Sequence, residues 1–318
     1  MKEDTLRLNC SGLEIHEVGM RDGLQMEKQV VPLEKKIEWI NRLIDSGFDI
    51  IQVGSFVRAD KVPQMADTAE LFKGLRSLHS PLSALSSLLS ALVLNEKGLE
   101  RALECEVPMI CMGVSASETH SMKNTGMSIS DATDRIIAMA KMAEGKGHRV
   151  QVSVQSAFGC GYEGHVPQER VMTIVGRYFD AGLKNISLAD TAGHATPDQV
   201  EKMFSAILEF DEGVECACHF HNTYGLALAN CYAAMKVGVK SFESSVAGLG
   251  GCPFTKIAGG NTCTEDFVHM LQRTGMREDV KLTELVRLAD DVDAFFGKEV
   301  SSAVRKVGPL QLYSKSEL

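Results

Sequence analysis

Short runs of alternating or wholly apolar residues recur along the chain, and each is followed by a longer stretch whose apolar residues return every three or four positions. The runs at 13–19, 49–55, 91–95, 108–114, 149–156, 185–190, 214–221 and 241–247 read as strands. The stretches at 33–46, 68–79, 96–105, 130–144, 167–181, 196–210, 226–237 and 264–273 read as amphipathic helices. Thr196 ahead of Pro197, and Ser130 ahead of Asp131, have the chemistry of helix starts. Three helices end alike, at Gly47, Gly182 and Gly238, each followed by an apolar residue and then the next strand. That is the pattern of a left-handed C-cap, and its recurrence implies one repeated βα unit. Such units, counted to eight within about 250 residues, are the arithmetic of an α/β fold of the (β/α)8 TIM-barrel type. The barrel is expected over about 13–275, with extra C-terminal helices over about 276–318, in a single catalytic domain of 1–318. A doubly wound sheet would favour a glycine-rich phosphate loop after its first strand, and GMRDGLQ is not one.

Composition narrows the partner. A net charge of −9, with Lys and Arg scattered along helical segments, excludes a nucleic-acid surface and points to a small-molecule ligand. The N-terminal stretch has neither an apolar signal core nor a transit pattern, so a cytoplasmic protein is expected. The most apolar segment, 82–94, is interrupted by serines and is too short to span a bilayer, so no membrane partner is expected. Nine cysteines without a CxxC pair fit reduced thiols rather than a disulfide framework. The terminal KSEL only loosely resembles an ER-retention signal and is discounted.

The chemistry concentrates where the strands end. In CACHFHNTYGLALAN, residues 216–230, His219 and His221 are two apart on a strand, so both imidazoles share one face while Cys216, Cys218 and Phe220 take the other. Two neutral imidazoles side by side suit a divalent metal, although a bare HxH is as often a pair of solvated or core histidines. The first strand runs into Arg21, Asp22 and Gln25, the second carries Gln52 and Ser55, the sixth ends in Asp190, and the eighth leads into GLGGCPFTKIAGGN with Cys252 and Asn261. Asp22, His219, His221 and Asn261 offer two oxygen and two nitrogen ligands, a set for Mg2+ or Mn2+ rather than a closed thiolate zinc site. Arg21 beside a ligand could stabilise an oxyanion, or serve only as a rim salt bridge. A glycine-rich loop can bring the Cys252 thiol over a site as an acid or base, while the other cysteines read as small buried hydrophobes. No lysine stands near the ends of strands five to seven, which argues against a Schiff-base aldolase.

Taken together, EVGMRDGLQ, SFVRADKVPQMAD, SLADTAG, HFHNTYGLALAN and VAGLGGCPF followed by GGN resemble the 3-hydroxy-3-methylglutaryl-CoA lyase family of the DRE-TIM metallolyases, from about residue 13 to about residue 271. GLGGCP is the most discriminating of these motifs. The resemblance implies Asp22, His219, His221 and Asn261 as metal ligands, and Arg21, Cys252, Asp190 and His219 as catalytic residues. It also implies Arg21, Gln25, Gln52, Ser55 and Asn124 around an acyl-CoA substrate. The implied reaction is metal-dependent cleavage of 3-hydroxy-3-methylglutaryl-CoA, or a close 3-hydroxy-3-substituted glutaryl-CoA, to acetyl-CoA and a 3-oxo acid such as acetoacetate, by a homo-oligomer. The family usually has glutamate where this chain has Gln52, aspartate where it has Asn222, and proline where it has Met20. A Claisen-type synthase or aldolase of the same superfamily, or a non-catalytic acyl-CoA-binding paralogue, are the alternatives.

Overall fold

The strands β1 (Glu14–Glu17), β2 (Ile50–Ser55), β3 (Leu88–Leu92), β4 (Met109–Ser115), β5 (Arg149–Gln155), β6 (Asn185–Asp190), β7 (Glu215–Phe220) and β8 (Ser241–Ser244) pair in parallel and in sequence order, and β8 returns to β1 to close the barrel. The structure, a computed structural model, describes residues 12–79, 81–82, 85–211, 213–251, 259–299 and 301–308. Between and after the strands come α1 (Leu33–Ser46), α2 (Thr68–Leu78), α3 (Glu96–Glu104), α4 (Glu118–Thr125), α5 (Ile129–Gly145), α6 (Gln168–Asp180), α7 (Pro197–Leu208), α8 (Ala227–Val237), α9 (Thr264–Arg273), α10 (Leu282–Phe296) and α11 (Ala303–Val307). This is the (β/α)8 TIM barrel, with helices beyond its last unit. Among the described residues no helix is long and apolar enough to cross a membrane.

Strand alternation divides the apolar residues into two cores. Outward-facing Ile15, Ile51, Val53, Leu89, Ile110, Ile186 and Phe242 join the helices in one large cluster, which also holds Cys216, Cys218 and Phe220. Inside the barrel a separate small cluster of Ile50, Met109 and Cys111 packs with Leu88 and Leu92, on the β2–β4 side only. The opposite side of the interior is polar, with Gln151, Ser187, His219 and Glu243 all buried. Gly47, Gly182 and Gly238 sit at φ of 94°, 78° and 105°, the left-handed conformation that a βα repeat uses to turn each helix back toward the sheet.

Three details differ from the sequence expectation. The third strand begins at Leu88 rather than at 91, because Ser90 is an inward barrel position and does not break the strand. The fifth helix is capped by Ser128, whose hydroxyl accepts from the Asp131 amide, two residues ahead of the expected Ser130. The short helix α4 stands between the expected strand at 108–114 and helix at 130–144, where no element was expected; its cap is Ser117, which accepts from the His120 amide at 3.1 Å.

Candidate active site

Directly after β1 the chain makes a π-helical turn, Gly19–Gly23, in which the amides of Arg21, Asp22 and Gly23 all donate to the Val18 carbonyl. Such wide turns are frequent at functional sites, and this one sets two consecutive charged side chains, Arg21 and Asp22, at the C-terminal mouth of the barrel. The glycines are required by close approach. A Cβ on Gly19 would lie 2.5 Å from Glu17 Oε1 and 2.9 Å from Val246, and one on Gly23 would lie 2.9 Å from Leu249 Cβ. The turn can therefore lie flat against the segment after β8, which carries Asn261 to the same place.

Asp22, His219 and His221 each present a ligand atom, and these atoms all lie within 4.8 Å of one another. His219 Nδ1 lies 2.9 Å from Glu243 Oε2 and His221 Nδ1 lies 2.9 Å from the Gly259 carbonyl. Both acceptors require a proton on Nδ1, so in neutral rings the two Nε2 lone pairs face each other across 3.2 Å. That arrangement repels unless a cation or a proton sits between them. Asn261 makes the same point: its Nδ2 donates to Asp22 Oδ2 at 2.8 Å and to the Leu249 carbonyl at 2.9 Å, leaving Oδ1 buried without a hydrogen-bond partner. Gly250 allows this, since a Cβ there would lie 2.2 Å from Asn261 Nδ2. Two nitrogens, a carboxylate and an amide oxygen thus fit a divalent ion.

The electrostatics agree with that donor set. Burial opposes ionisation of Asp22, yet Arg21, the two histidines and Asn261 hold its carboxyl down at about 2. Burial, then the neighbouring His219, lowers His221 to about 4, which keeps it neutral. His219 is also desolvated, but its bond to Glu243 and the charges of Glu243 and Asp22 outweigh burial and raise it.

Arg21 Nε donates to Gln52 Oε1 and its Nη1 to Asp22 Oδ1, while Gln25 Nε2 donates to the same Asp22 oxygen at 2.8 Å. Strict alternation would send Gln52 and Ser55 to opposite faces. A bulge in β2, where the register with β3 slips between Gln52 and Gly54, turns both inward. They line a cavity of about 700 Å³ that also takes in Arg21, Asp22, Gln25, His219 and His221, with Asn124 of α4 at its edge.

Not every expected residue joins this cluster. Asp190 alternates outward from Ala189, and its two oxygens accept from the His194 and Ala195 amides at 2.8 and 2.9 Å. It shapes the turn into α7 and does not line the cavity. Cys252 lies outside the described residues, which resume at Gly259.

Sequence reasoning missed Glu243. On β8 it is an inward position between outward Phe242 and Ser244, and a buried acid in that frame was the available signal. Burial opposes its charge, but His219 lowers its carboxyl to about 2, and Ser187 Oγ donates to its other oxygen at 3.0 Å. A carboxylate on the far nitrogen of a ligand histidine fixes the tautomer and raises its basicity. Glu243→Gln is expected to weaken Mn2+ binding by about 10–100-fold, with turnover recovering as metal is added. A metal titration that matches the wild type would show Glu243 to be dispensable for alignment.

Glu17, also missed, staples the site's two walls. Its carboxylate accepts from the Gly19 amide at 2.7 Å, the Val246 amide at 3.0 Å and Thr264 Oγ1 at 2.6 Å. Burial lifts it from 4.5 to about 7 against the pull of these bonds. A carboxyl raised on folding stabilises the fold fully below its unfolded value, and that contribution is lost as pH climbs through about 7. The melting temperature of Glu17→Gln should therefore fall less than that of the wild type between about pH 5 and about pH 8. Parallel curves would place the wild-type pH dependence on other groups.

Residues 12–292 match the HMGL-like family model. Hydroxymethylglutaryl-CoA lyase YngG of Bacillus subtilis is 38% identical over 288 residues, covering 91% of this chain and 94% of that protein. The 3-hydroxy-3-isohexenylglutaryl-CoA/hydroxy-methylglutaryl-CoA lyase of Pseudomonas aeruginosa is 38% identical over 290 residues, covering 91% and 95%. An HMG-CoA lyase from Acinetobacter baumannii, solved in complex with coenzyme A and 3-methylmalate, superposes with a TM-score of 0.88 at 35% identity, covering 95% of this chain and 98% of that one. With the family model spanning nearly the whole barrel and relatives of this identity along almost their full length, the chain belongs to the HMGL-like family of lyases.

Proposed function

We propose that the protein is a divalent-metal-dependent carbon–carbon lyase that cleaves 3-hydroxy-3-methylglutaryl-CoA, or a close 3-hydroxy-3-substituted glutaryl-CoA, to acetyl-CoA and a 3-oxo acid such as acetoacetate. The observation that carries this reading is the convergence of Asp22, His219, His221 and the unpartnered Asn261 oxygen beside Arg21 at the mouth of one deep cavity. Its rim bears Arg58, Lys61, Lys123 and Arg135, which suits the anionic phosphates of an acyl-CoA. The Acinetobacter relative's bound coenzyme A supports the same substrate class.

The four ligands would hold Mg2+ or Mn2+, which would supply a Lewis acid that lowers the pKa of a substrate hydroxyl and polarises a carbonyl oxygen. The substrate's C3 hydroxyl passes its proton to the Cys252 thiolate, the C2–C3 bond breaks, and its electron pair passes to the thioester as an enolate while C3 becomes a ketone. Arg21, with Nη2 free of the bonds to Gln52 and Asp22, meets the oxyanion. Cys252 protonates the enolate at C2. Both ring nitrogens of His219 are engaged, one by Glu243 and one toward the ligand set, so His219 acts as a ligand rather than a proton carrier. With Asp190 tied to backbone amides, its part is to position the β6–α7 turn. Gln25, Gln52, Ser55 and Asn124 contact the substrate. The barrel and its C-terminal helices form one catalytic domain, acting as a cytoplasmic homo-oligomer.

Acetoacetate release from 3-hydroxy-3-methylglutaryl-CoA by purified protein, with Mg2+ or Mn2+ and against a chelator, tests the reading. Metal-dependent release is the expected result. Absence of any cleavage of 3-hydroxy-3-substituted glutaryl-CoA thioesters by metal-loaded protein would overturn it.

A further inference from the structure

The cavity does not stop at the proposed metal ligands. Along the paired strands His219 is level with Ala189, and Ser187 lies one inward position deeper, opposite Ser153 of β5. Gln151 lies a further inward position down and forms the floor; it also lines a separate cleft at the N-terminal end of the barrel. From the level of Ala189 to that of Gln151 is about 13 Å of strand. Ser153, Ser187 and Gln151 all line the one cavity that holds Asp22, His219 and His221. A coenzyme A arm held by the rim cations would occupy the upper part of the cavity and leave this lower chamber free.

The chamber is open because its side chains are small and polar. Gly113 on β4 leaves a notch that Ser153 fills: a Cβ on Gly113 would lie 2.0 Å from Ser153 Oγ. A larger residue at 153 has no room in that notch and must project into the cavity. The apolar filling of the barrel interior, Ile50, Met109 and Cys111, lies on β2 and β4, and its Cys111 is level with Gln151 at the edge of the cavity. Gln151 Nε2 donates to Asn185 Oδ1 at 3.2 Å and Ser187 Oγ donates to Glu243, so Gln151 keeps a carbonyl oxygen and a second N–H for a ligand. Arg21 is engaged by Gln52 and Asp22 and the other cations that line the cavity stand at its rim, while the Glu243 carboxylate borders this lower level, which disfavours an anionic group.

We infer that the substrate carries on C3 a substituent longer than methyl, uncharged and ending in a hydrogen-bonding group, which the chamber bounded by Ser153, Ser187 and Gln151 receives. This rests on the lyase reading above and specifies its substrate. A methyl group is about the size of one water, whose share of liquid volume is about 30 Å³, so it would leave the lower chamber unfilled. Each methylene that a pocket is built to hold is worth at least about tenfold in kcat/KM.

The test is a series of 3-hydroxyglutaryl-CoA thioesters bearing methyl, propyl, 2-hydroxyethyl or carboxymethyl on C3, assayed with Mn2+ on the wild type and on Ser153→Leu. The wild type is expected to favour 2-hydroxyethyl over methyl by about tenfold or more and to discriminate against carboxymethyl. Ser153→Leu, which narrows the chamber, should reverse that ratio in favour of methyl. A wild type that cleaves the methyl substrate best overturns the inference and leaves the lyase reading standing. Failure to cleave any member of the series overturns both, and the wild-type comparison decides the matter even if the variant does not fold.

Discussion

Asp22→Asn is expected to abolish metal binding and turnover together. Asp22 is shared between two sets of donors: Oδ1 accepts from Arg21 and Gln25, and Oδ2 faces the histidines and accepts from Asn261. An amide cannot serve both. With its NH2 in the Oδ2 position it opposes the Asn261 N–H and displaces the ion; with its NH2 in the Oδ1 position it opposes Arg21 and Gln25. Either way a buried donor loses its acceptor, at a cost of about 1–3 kcal/mol, and the only carboxylate in the ligand cluster is gone. Loss of a residue that merely orients a ligand typically weakens metal binding by about 10–100-fold, so loss of a charged ligand should exceed about 100-fold and should not be rescued by excess Mn2+. Calorimetric titration with Mn2+ on protein whose circular dichroism matches the wild type is the measurement. Near-normal affinity in Asp22→Asn would remove this residue from the ligand set.

That Asp22 and the candidate ligands beside it could be singled out from sequence, while Glu243 and Glu17 could not, reflects what periodicity encodes. The βα alternation and the glycine C-caps are local, so strand order and barrel closure follow from counting, and an HxH pair on a strand must share a face. Three features are not local. The π turn depends on which carbonyl the amides of 21–23 choose, and nothing in GMRDG distinguishes an i+5 bond from an ordinary turn. The bulge in β2 is visible only in its register with β3, and without it Gln52 and Ser55 could not share a cavity. Glu243 acquires meaning from His219, a residue 24 positions away on the neighbouring strand. Asp190 shows the same limit from the other side: a carboxylate at the end of a barrel strand looks catalytic, and parity with Ala189 turns this one outward onto backbone amides. Resemblance to a family carried expected roles as far as motif positions, and side-chain direction then separated candidate ligands from candidate supports.

Arg21→Gln separates charge stabilisation from metal binding. The guanidinium is 9% exposed and is held by one carboxylate and one neutral amide, Asp22 and Gln52. Because Gln52 brings no charge, Asp22 is, among the described residues, the only anion bonded to Arg21, and more of its field remains for an oxyanion in the cavity than a carboxylate at position 52 would leave. A group that acts on charge appearing only in the transition state lowers kcat when removed and barely moves KM. Removal of one such donor typically costs about 10²–10³ in kcat, and that is the fall expected for Arg21→Gln under saturating Mn2+. Asp22 would lose its largest cationic partner, so its carboxyl should become less acidic, yet the two histidines and Asn261 still favour the charged form, and the ion should still bind. Arg21→Lys should recover only part of the loss, since an ammonium cannot span Gln52 and Asp22 while reaching the substrate. If Arg21→Gln instead raised KM and left kcat intact, Arg21 would be a substrate anchor, and the developing charge would have to be met elsewhere in the cavity.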